Sequence, residues 1–369
     1  MIDKHAEGQS AFGFNGSWRE YAPIAFTNLL LTIVTLGVYS FWARARSRRY
    51  LWSRTRFIDD RLQWTGTGVE LFIGAVIAFF IFTLPSLALG LVFNGVIMRG
   101  HQGLAALMAA LVYPMLFYLI GVAKFRAIRY RLSRTFWHGI RGGSDDEGFA
   151  FGWSYLWRTF VGYLALGLMI PWSMTTLWNK RWGAMSFGPT RLSATAQWRN
   201  IFGRYLIFYF SPAFLFVGLF ALIAILGGLG ALSGGFSTSG GQPNPAAMTA
   251  IVVAAVVFGL GFYVGLGLVA VTYYAAFFRE AAGSLRLGSL QFGFTARTKD
   301  WILLYLGNVG LTIVTLGIGY IFVTYRNWAF FVRHAEAFGE VMLDDLTQSR
   351  TRDPGQGEGL LDAFDVGAF

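Results

Sequence analysis

The sequence of 369 residues contains no cysteine. Disulfides, thiolate metal sites and a cysteine nucleophile are therefore excluded together. Histidine is almost as scarce. His5, His101, His138 and His334 are the full set, and no two stand at metal-ligand spacing. Charge is thin as well. Asp, Glu, Lys and Arg make up 13% of the residues, against about 25% in a typical soluble domain. A soluble chain of this size would lack the polar groups to cover its surface. That excludes a soluble enzyme, a disordered chain and a disulfide scaffold. The stretch SGGFSTSGG lacks the lysine and preceding strand of a phosphate-binding loop. MIDKHAEGQSAFGF lacks the apolar core of a signal peptide. The first hydrophobic segment is therefore expected to act as the targeting signal and to stay in the mature protein.

What the sequence has is apolar length. Hydrophobic residues make up 55% and aromatics 18%. A spanning helix needs about 20 apolar residues. Charge-free stretches run over 21–43, 71–98, 103–123, 159–179, 205–278 and 301–325. The stretch 205–278 divides at GGFSTSGGQPNPAA (234–247), whose Gly, Ser, Pro and Asn are loop formers. Seven hydrophobic helical segments result. The fold class expected from them is an all-α polytopic membrane protein with internal repeats, carrying short β-like hairpin segments on its basic, cytoplasmic face.

The repeats are legible in the letters. Residues 12–50 match residues 292–330 without a gap, and LTIVTLG is identical at 31–37 and 311–317. Phe12, Phe14, Asn28 and Arg46 recur as Phe292, Phe294, Asn308 and Arg326. A looser copy occupies 148–182. Each unit leaves its apolar segment through a basic, aromatic stretch and then a few alternating residues. Leu62-Gln63-Trp64 and Leu290-Gln291-Phe292 have the alternation of short strands. The organisation expected is one membrane domain over 1–349, with repeat units at 12–68, 148–200 and 292–347. Helical hairpins at 69–123 and 204–278 separate them, and 350–369 form a flexible acidic tail.

Two topologies compete. All seven segments span, or only the two apolar pairs span while 21–43, 159–179 and 301–325 enter and return. Basic loops stay cytoplasmic. The second arrangement leaves Arg99 as the one basic residue of thirty on the far side. Gly37, Gly317 and Pro171 mark candidate breaks. Against this, 301–325 is long enough to cross, about 37 Å as a helix.

FGFNGSWREY followed by NLLLTIVTLGVYSFWARARSRRYLWSRTRF resembles the signature of the YjgN-like family of bacterial inner-membrane proteins, a family defined by a domain of unknown function. The likeness extends over about residues 10–345. It implies a multi-pass protein of the bacterial inner membrane and supplies no reaction. At 319–324 the last copy has Gly-Tyr-Ile-Phe-Val-Thr where the first has Tyr-Ser-Phe-Trp-Ala-Arg, so a role for Trp42 or Arg44 need not extend to it.

Enzyme chemistry has little to stand on, and no catalytic residue, cofactor or metal site is expected. His138 near Asp145, Asp146 and Glu147, and the pairs Asp59-Asp60 and Asp344-Asp345, have the composition of solvated turns. No carboxylate, lysine or histidine interrupts the longest apolar runs, which argues against a proton-coupled carrier. The lead reading is a pore, carrier or lipid-interacting protein. The alternative is a scaffold that binds a cytoplasmic partner through its basic β-like face. Asn28 and Asn308, with Thr32, Thr35, Thr312 and Thr315, are the substrate-site candidates, because polar groups at matching repeat positions and membrane depth can hold a ligand. Their ordinary role would be interhelical hydrogen bonding. Arg44, Arg46, Arg48, Arg49, Lys124, Arg126 and Arg129 are candidates for binding anionic lipid, which fits a net charge of +11. Membrane lipids, and a protein partner or a second copy, are the expected partners. Nucleic acid is not. Small-xxx-small spacings at Gly230–Gly234 and Gly261–Gly265 would let helices approach closely.

Overall fold

A computed structural model describes residues 11–232, 245–339, 347–353 and 355. The Gly/Ser/Pro loop, the Gly230–Gly234 pair, Asp344-Asp345 and nearly all of the acidic tail lie outside the described residues.

The same order of elements recurs five times: a strand, two antiparallel helical arms, and a returning strand. The first run is β1 (Phe12–Phe14), α1 (Trp18–Val34), α2 (Ser40–Ser53) and β2 (Thr55–Phe57). The second is β3 (Asp60–Arg61) with β4 (Gln63–Trp64), then α3 (Gly68–Ala78), a π turn at Phe79–Thr83, α4 (Leu84–Met98), α5 (Gln102–Ser133) and β5 (Thr135–Trp137). The third is β6 (Ile140–Gly143), α6 (Phe149–Leu164), α7 (Ile170–Gly183) and β7 (Ser186–Phe187). The fourth is β8 (Thr190–Ala194), α8 (Arg199–Leu232), α9 (Pro245–Gly283) and β9 (Leu285–Leu287). The fifth is β10 (Leu290–Phe294), α10 (Thr298–Val314), a 3₁₀ turn at Ile318–Phe322, α11 (Val323–His334) and β11 (Ala335–Phe338).

Two-residue turns join one run to the next. Each has a left-handed residue first: Ile58, His138, Gly188 or Gly288. Such turns match the twist of paired strands. The strands consequently pair antiparallel in chain order, as a three-stranded sheet β1–β3 and an eight-stranded sheet β4–β11. Leu62 donates its N–H to Thr55 at 2.9 Å and bridges the two sheets. The meander curls until β1 lies against β11. Phe57, Ile58, Trp137 and Leu290 fill its interior, with Phe12, Leu62, Phe187, Leu287, Phe292 and Ala337 packed around them.

This corrects the all-α expectation. Strands do form at Gln63–Trp64 and Leu290–Phe294, but they belong to two antiparallel sheets whose strands come from all five runs. Strands of two to five residues give almost no periodic signal, and their partners lie tens of residues away. The count of seven spans is also corrected. Among the described residues, four helices are long and apolar enough to cross a membrane: Gly68–Met98, Gln102–Ser133, Arg199–Leu222 and Val252–Gly283.

The other three segments break in the middle. Leu36-Gly37, Leu166-Gly167 and Leu316-Gly317 all have positive φ, near +50° for leucine and +84 to +94° for glycine. Glycine reaches this region without steric cost and ends the helix. Gly37 N–H donates to Thr32 O at 2.7 Å, and Gly317 N–H to Thr312 O at 2.7 Å. Thr35 and Thr315 secure the same turns. Each hydroxyl donates to the carbonyl four residues back and accepts the N–H four residues on, of Tyr39 and Gly319 respectively. The chain reverses, and a 25-residue stretch that could cross becomes two shorter arms. Pro171 stands in the first turn of α7, where its missing N–H costs nothing.

The chain forms two compact units. One holds the sheet, the α3–α5 pair and most of the three short hairpins. The other spans 197–280 with 296–303. Within the second, Gly265 of α9 admits Leu215 of α8, whose side chain would stand 3.0 Å from an added Cβ. That is the close approach expected of Gly261–Gly265.

A candidate ligand cavity between the first and last hairpins

In α1, the residues that turn inward are Tyr21, Ala25 and Asn28, spaced four and three apart on one stripe. Ser17 caps this helix by accepting Arg19 N–H at 3.2 Å. In α2 the inward positions include Ser47 and Arg48. Tyr21 donates its hydroxyl to Ser47 Oγ at 3.1 Å. Asn28 Nδ2 donates to Ser47 Oγ at 3.3 Å and to Ala43 O at 3.2 Å. The amide is thereby fixed, and only 7% of Asn28 is exposed. Its Oδ1 has no hydrogen-bond partner. Burying an acceptor without a partner costs about 1–3 kcal/mol.

A cavity of about 240 Å³ opens beside this amide. Tyr21, Asn28, Thr32, Ser40, Arg44, Ser47 and Arg48 line it from the first hairpin, and Tyr320, Ile321 and Thr324 from the last. The wall is largely apolar with a few converging polar groups, the usual make-up of a small-ligand site.

Of the residues singled out from sequence, this cavity gathers Asn28, Thr32, Arg44 and Arg48. Asn308 is engaged on its own hairpin. It donates to Asn327 Oδ1 at 2.8 Å and accepts from Arg326 Nε at 2.7 Å, and Thr312 Oγ1 donates to its carbonyl at 2.8 Å. Asn327 is the counterpart of Ser47, so both copies use the same pair of positions for an interhelical bond. Thr35 and Thr315 are occupied by the turns. Arg46 and Arg49 are exposed on the outer side of α2. Arg48 is buried against the Trp64 ring, 5.1 Å from its centroid. Lys124, Arg126 and Arg129 lie elsewhere, on α5. Lys124 donates to Tyr155 OH at 3.1 Å, Arg126 to Glu147 O at 3.0 Å, and Arg129 is buried.

Tyr21, Ser40, Ser47 and Thr324 were not among the sequence candidates. The stripe Tyr21–Ala25–Asn28–Thr32 was the available signal for Tyr21. Thr324 comes from 280 residues beyond Arg44, and no local pattern connects the two.

Two further sequence candidates meet unexpectedly. His138 Nε2 sits 2.9 Å from Asp59 and its Nδ1 3.8 Å from Asp60, linking two hairpin turns of the sheet. Among the described residues no group of three His, Asp or Glu side chains forms a metal site.

The family described as "Bacterial protein of unknown function (DUF898)" matches residues 9–363. An inner membrane protein YjgN of Salmonella typhimurium strain LT2 is 29% identical over 130 residues, 35% of this chain and 30% of that protein. Inner membrane protein YjgN of Escherichia coli K12 is 28% identical over 157 residues, 42% of this chain and 36% of that one. The matched stretch thus spans about a third of the length of these relatives. No solved structure matches.

Proposed function

The chain belongs to the DUF898 family of bacterial proteins, and from that premise we propose that it is an internally repeated, lipid-interacting protein of the inner membrane. The observation that carries this is the unpartnered carbonyl oxygen of Asn28 beside a cavity between the first and last helical hairpins. An amphiphile that donates a hydroxyl to Asn28 and rests its chain along Leu29 and Ile321 satisfies both the polar and the apolar part of that wall.

Depth supports the same reading. The helix Gly68–Met98 has 31 residues, about 46 Å, whereas α1 has 17, about 25 Å. With their strands at one level, the short hairpins turn back roughly 20 Å before the long one does. Their tips are apolar and open: Leu36 is 94% exposed and Leu316 93%. Tips of this kind rest in hydrocarbon, with their backbone satisfied by the turn itself. Arg99 stands at the far turn of the long pair, and the sheet side carries the bulk of the arginines, the sorting expected when the sheet is cytoplasmic. A pore through the sheet is disfavoured, because aromatic and aliphatic side chains fill it.

The test is lipid retention. Full-length protein purified in mild detergent is expected to carry lipid that mass spectrometry detects, and Asn28→Leu to lose most of it while remaining folded. Equal lipid on both would remove the cavity from consideration.

A further inference from the structure

The middle hairpin holds a second polar site. By alignment on the Leu-Gly turns, the position eight residues before the turn leucine is Asn28, Arg158 and Asn308 in the three copies. The middle copy therefore has a cation where the outer two have an amide. Two lysines, one from α7 and one from α5, bond to adjacent hydroxyls of α6, and the α7 lysine feels the charge of Arg158. Lys180 Nζ donates to Ser154 Oγ at 2.9 Å. Lys124 donates to Tyr155 OH at 3.1 Å and lies over that ring at 4.8 Å. Arg158 is one helical turn beyond Ser154 and Tyr155, over the Trp172 ring at 5.9 Å. Arg181 follows Lys180, is 7% exposed, and leaves its Nε without a partner.

Among the described residues, none of these four cations pairs with a carboxylate. Ion pairs elsewhere include those of Arg54, Arg134, His138 and Arg141. The electrostatic cost is visible. Burial, then the charge of Arg158, pushes the Lys180 ammonium below its ordinary range. Burial, then the charge of Arg131, pushes Arg181 down to about 10. Like charges held close together without a counter-charge are unfavourable, here with Arg181 buried, Arg158 and Lys124 half-buried and Lys180 exposed. They persist most readily where an anion completes the site.

We propose that Arg158, Lys180 and Lys124, with the Ser154 and Tyr155 hydroxyls, form a binding site for a phosphate group. Several oxygens around one centre can accept from two ammonium groups, a guanidinium fork and two hydroxyls at once, which one carboxylate cannot. The phosphate belongs either to a soluble ester or to a lipid headgroup. The site shares no residue with the cavity at Asn28, so the two succeed or fail separately.

Full-length protein in neutral detergent is melted with inorganic phosphate, with phosphatidylglycerol, and with diacylglycerol, which has the chains and no phosphate. Phosphate or phosphatidylglycerol is expected to raise the melting temperature by about 2–4 °C and diacylglycerol to leave it unchanged. A response to inorganic phosphate identifies a soluble ester as the source, and a response to phosphatidylglycerol alone a headgroup. Arg158→Gln and Lys180→Gln should abolish the shift. Without ligand they should melt no lower than wild type, because a repulsion has been removed. Ser154→Ala leaves every charge in place and should weaken binding about tenfold, which keeps the test valid if a charge variant misfolds. No shift with either phosphate compound, an equal shift with diacylglycerol, or wild-type shifts in all three variants would overturn the proposal.

Discussion

Trp328 donates its indole N–H to the Thr55 hydroxyl at 2.8 Å, across 273 positions of sequence. Its ring also stacks on Trp52, with centroids 4.0 Å apart. Tyr325, one turn earlier on α11, donates to Gly16 O at 2.9 Å. These contacts fasten the last hairpin to the first and hold the two walls of the Asn28 cavity together. Trp328→Phe loses the hydrogen bond and keeps most of the stacking, at a cost of about 1 kcal/mol. Trp328→Ala should cost about 3–5 kcal/mol. Thermal unfolding in detergent orders the two, and equal effects would mean that the contact does not close the structure.

The left-handed turns give a test with opposite signs at adjacent positions. Gly317 has φ +93°, so Gly317→Ala should destabilise by about 1 kcal/mol or more. Leu316 holds φ +51° against its own Cβ, and Leu316→Gly should gain up to about 1 kcal/mol in detergent. If the tip rests in hydrocarbon, that same glycine variant should bind vesicles less tightly than wild type.

Glu70 joins three residues at the start of α3 and the end of α5. It closes a capping box with Thr67, accepts Tyr130 OH at 2.8 Å, and pairs with Arg134 at 2.7 Å. Both partners of the ion pair are about three-quarters buried, so removing the acid leaves a cation desolvated. Glu70→Ala should cost about 3 kcal/mol and Glu70→Gln less, because the amide oxygen still accepts. A milder effect for Ala than for Gln would contradict this account.

The cysteine-free sequence makes topology directly measurable. Single cysteines at Asp60, Pro189 and His101 are labelled in intact cells with a membrane-impermeant maleimide. His101 should react, and Asp60 and Pro189 should not, because both lie at the hairpin ends of the sheets. Opposite labelling at 60 and 189 would require α6 and α7 together to cross the bilayer once, as a single span.

Residues 351–353 behave as part of the sheet unit. Arg141 pairs with Asp353 at 3.1 Å and donates to the Thr351 carbonyl, and Gln348 Nε2 donates to Gly139 O at 2.9 Å. Truncation after residue 347 should lower stability by about 1 kcal/mol, measured on the same melting curve, with any larger loss pointing to further contacts.

The sequence by itself determined the membrane class, the family, the apolar segments and the recurrence of residues 12–50 at 292–330. Those properties live in composition and in local order, which a linear reading captures. It also held the Leu-Gly pairs that reverse three of the segments, although whether a glycine breaks or merely bends a helix depends on the hydrogen bonds formed around it. Only the tertiary structure decided that the short exits join into two antiparallel sheets, because two-residue strands acquire meaning from partners far along the chain. Only it decided that Asn28 and Thr324 share a cavity while Asn308, with the same sequence surroundings, bonds to Asn327 and Arg326. Arg326 reaches the Asn308 amide oxygen while its counterpart Arg46 is exposed on the outer side of α2, and that difference leaves one amide oxygen with a partner and the other without.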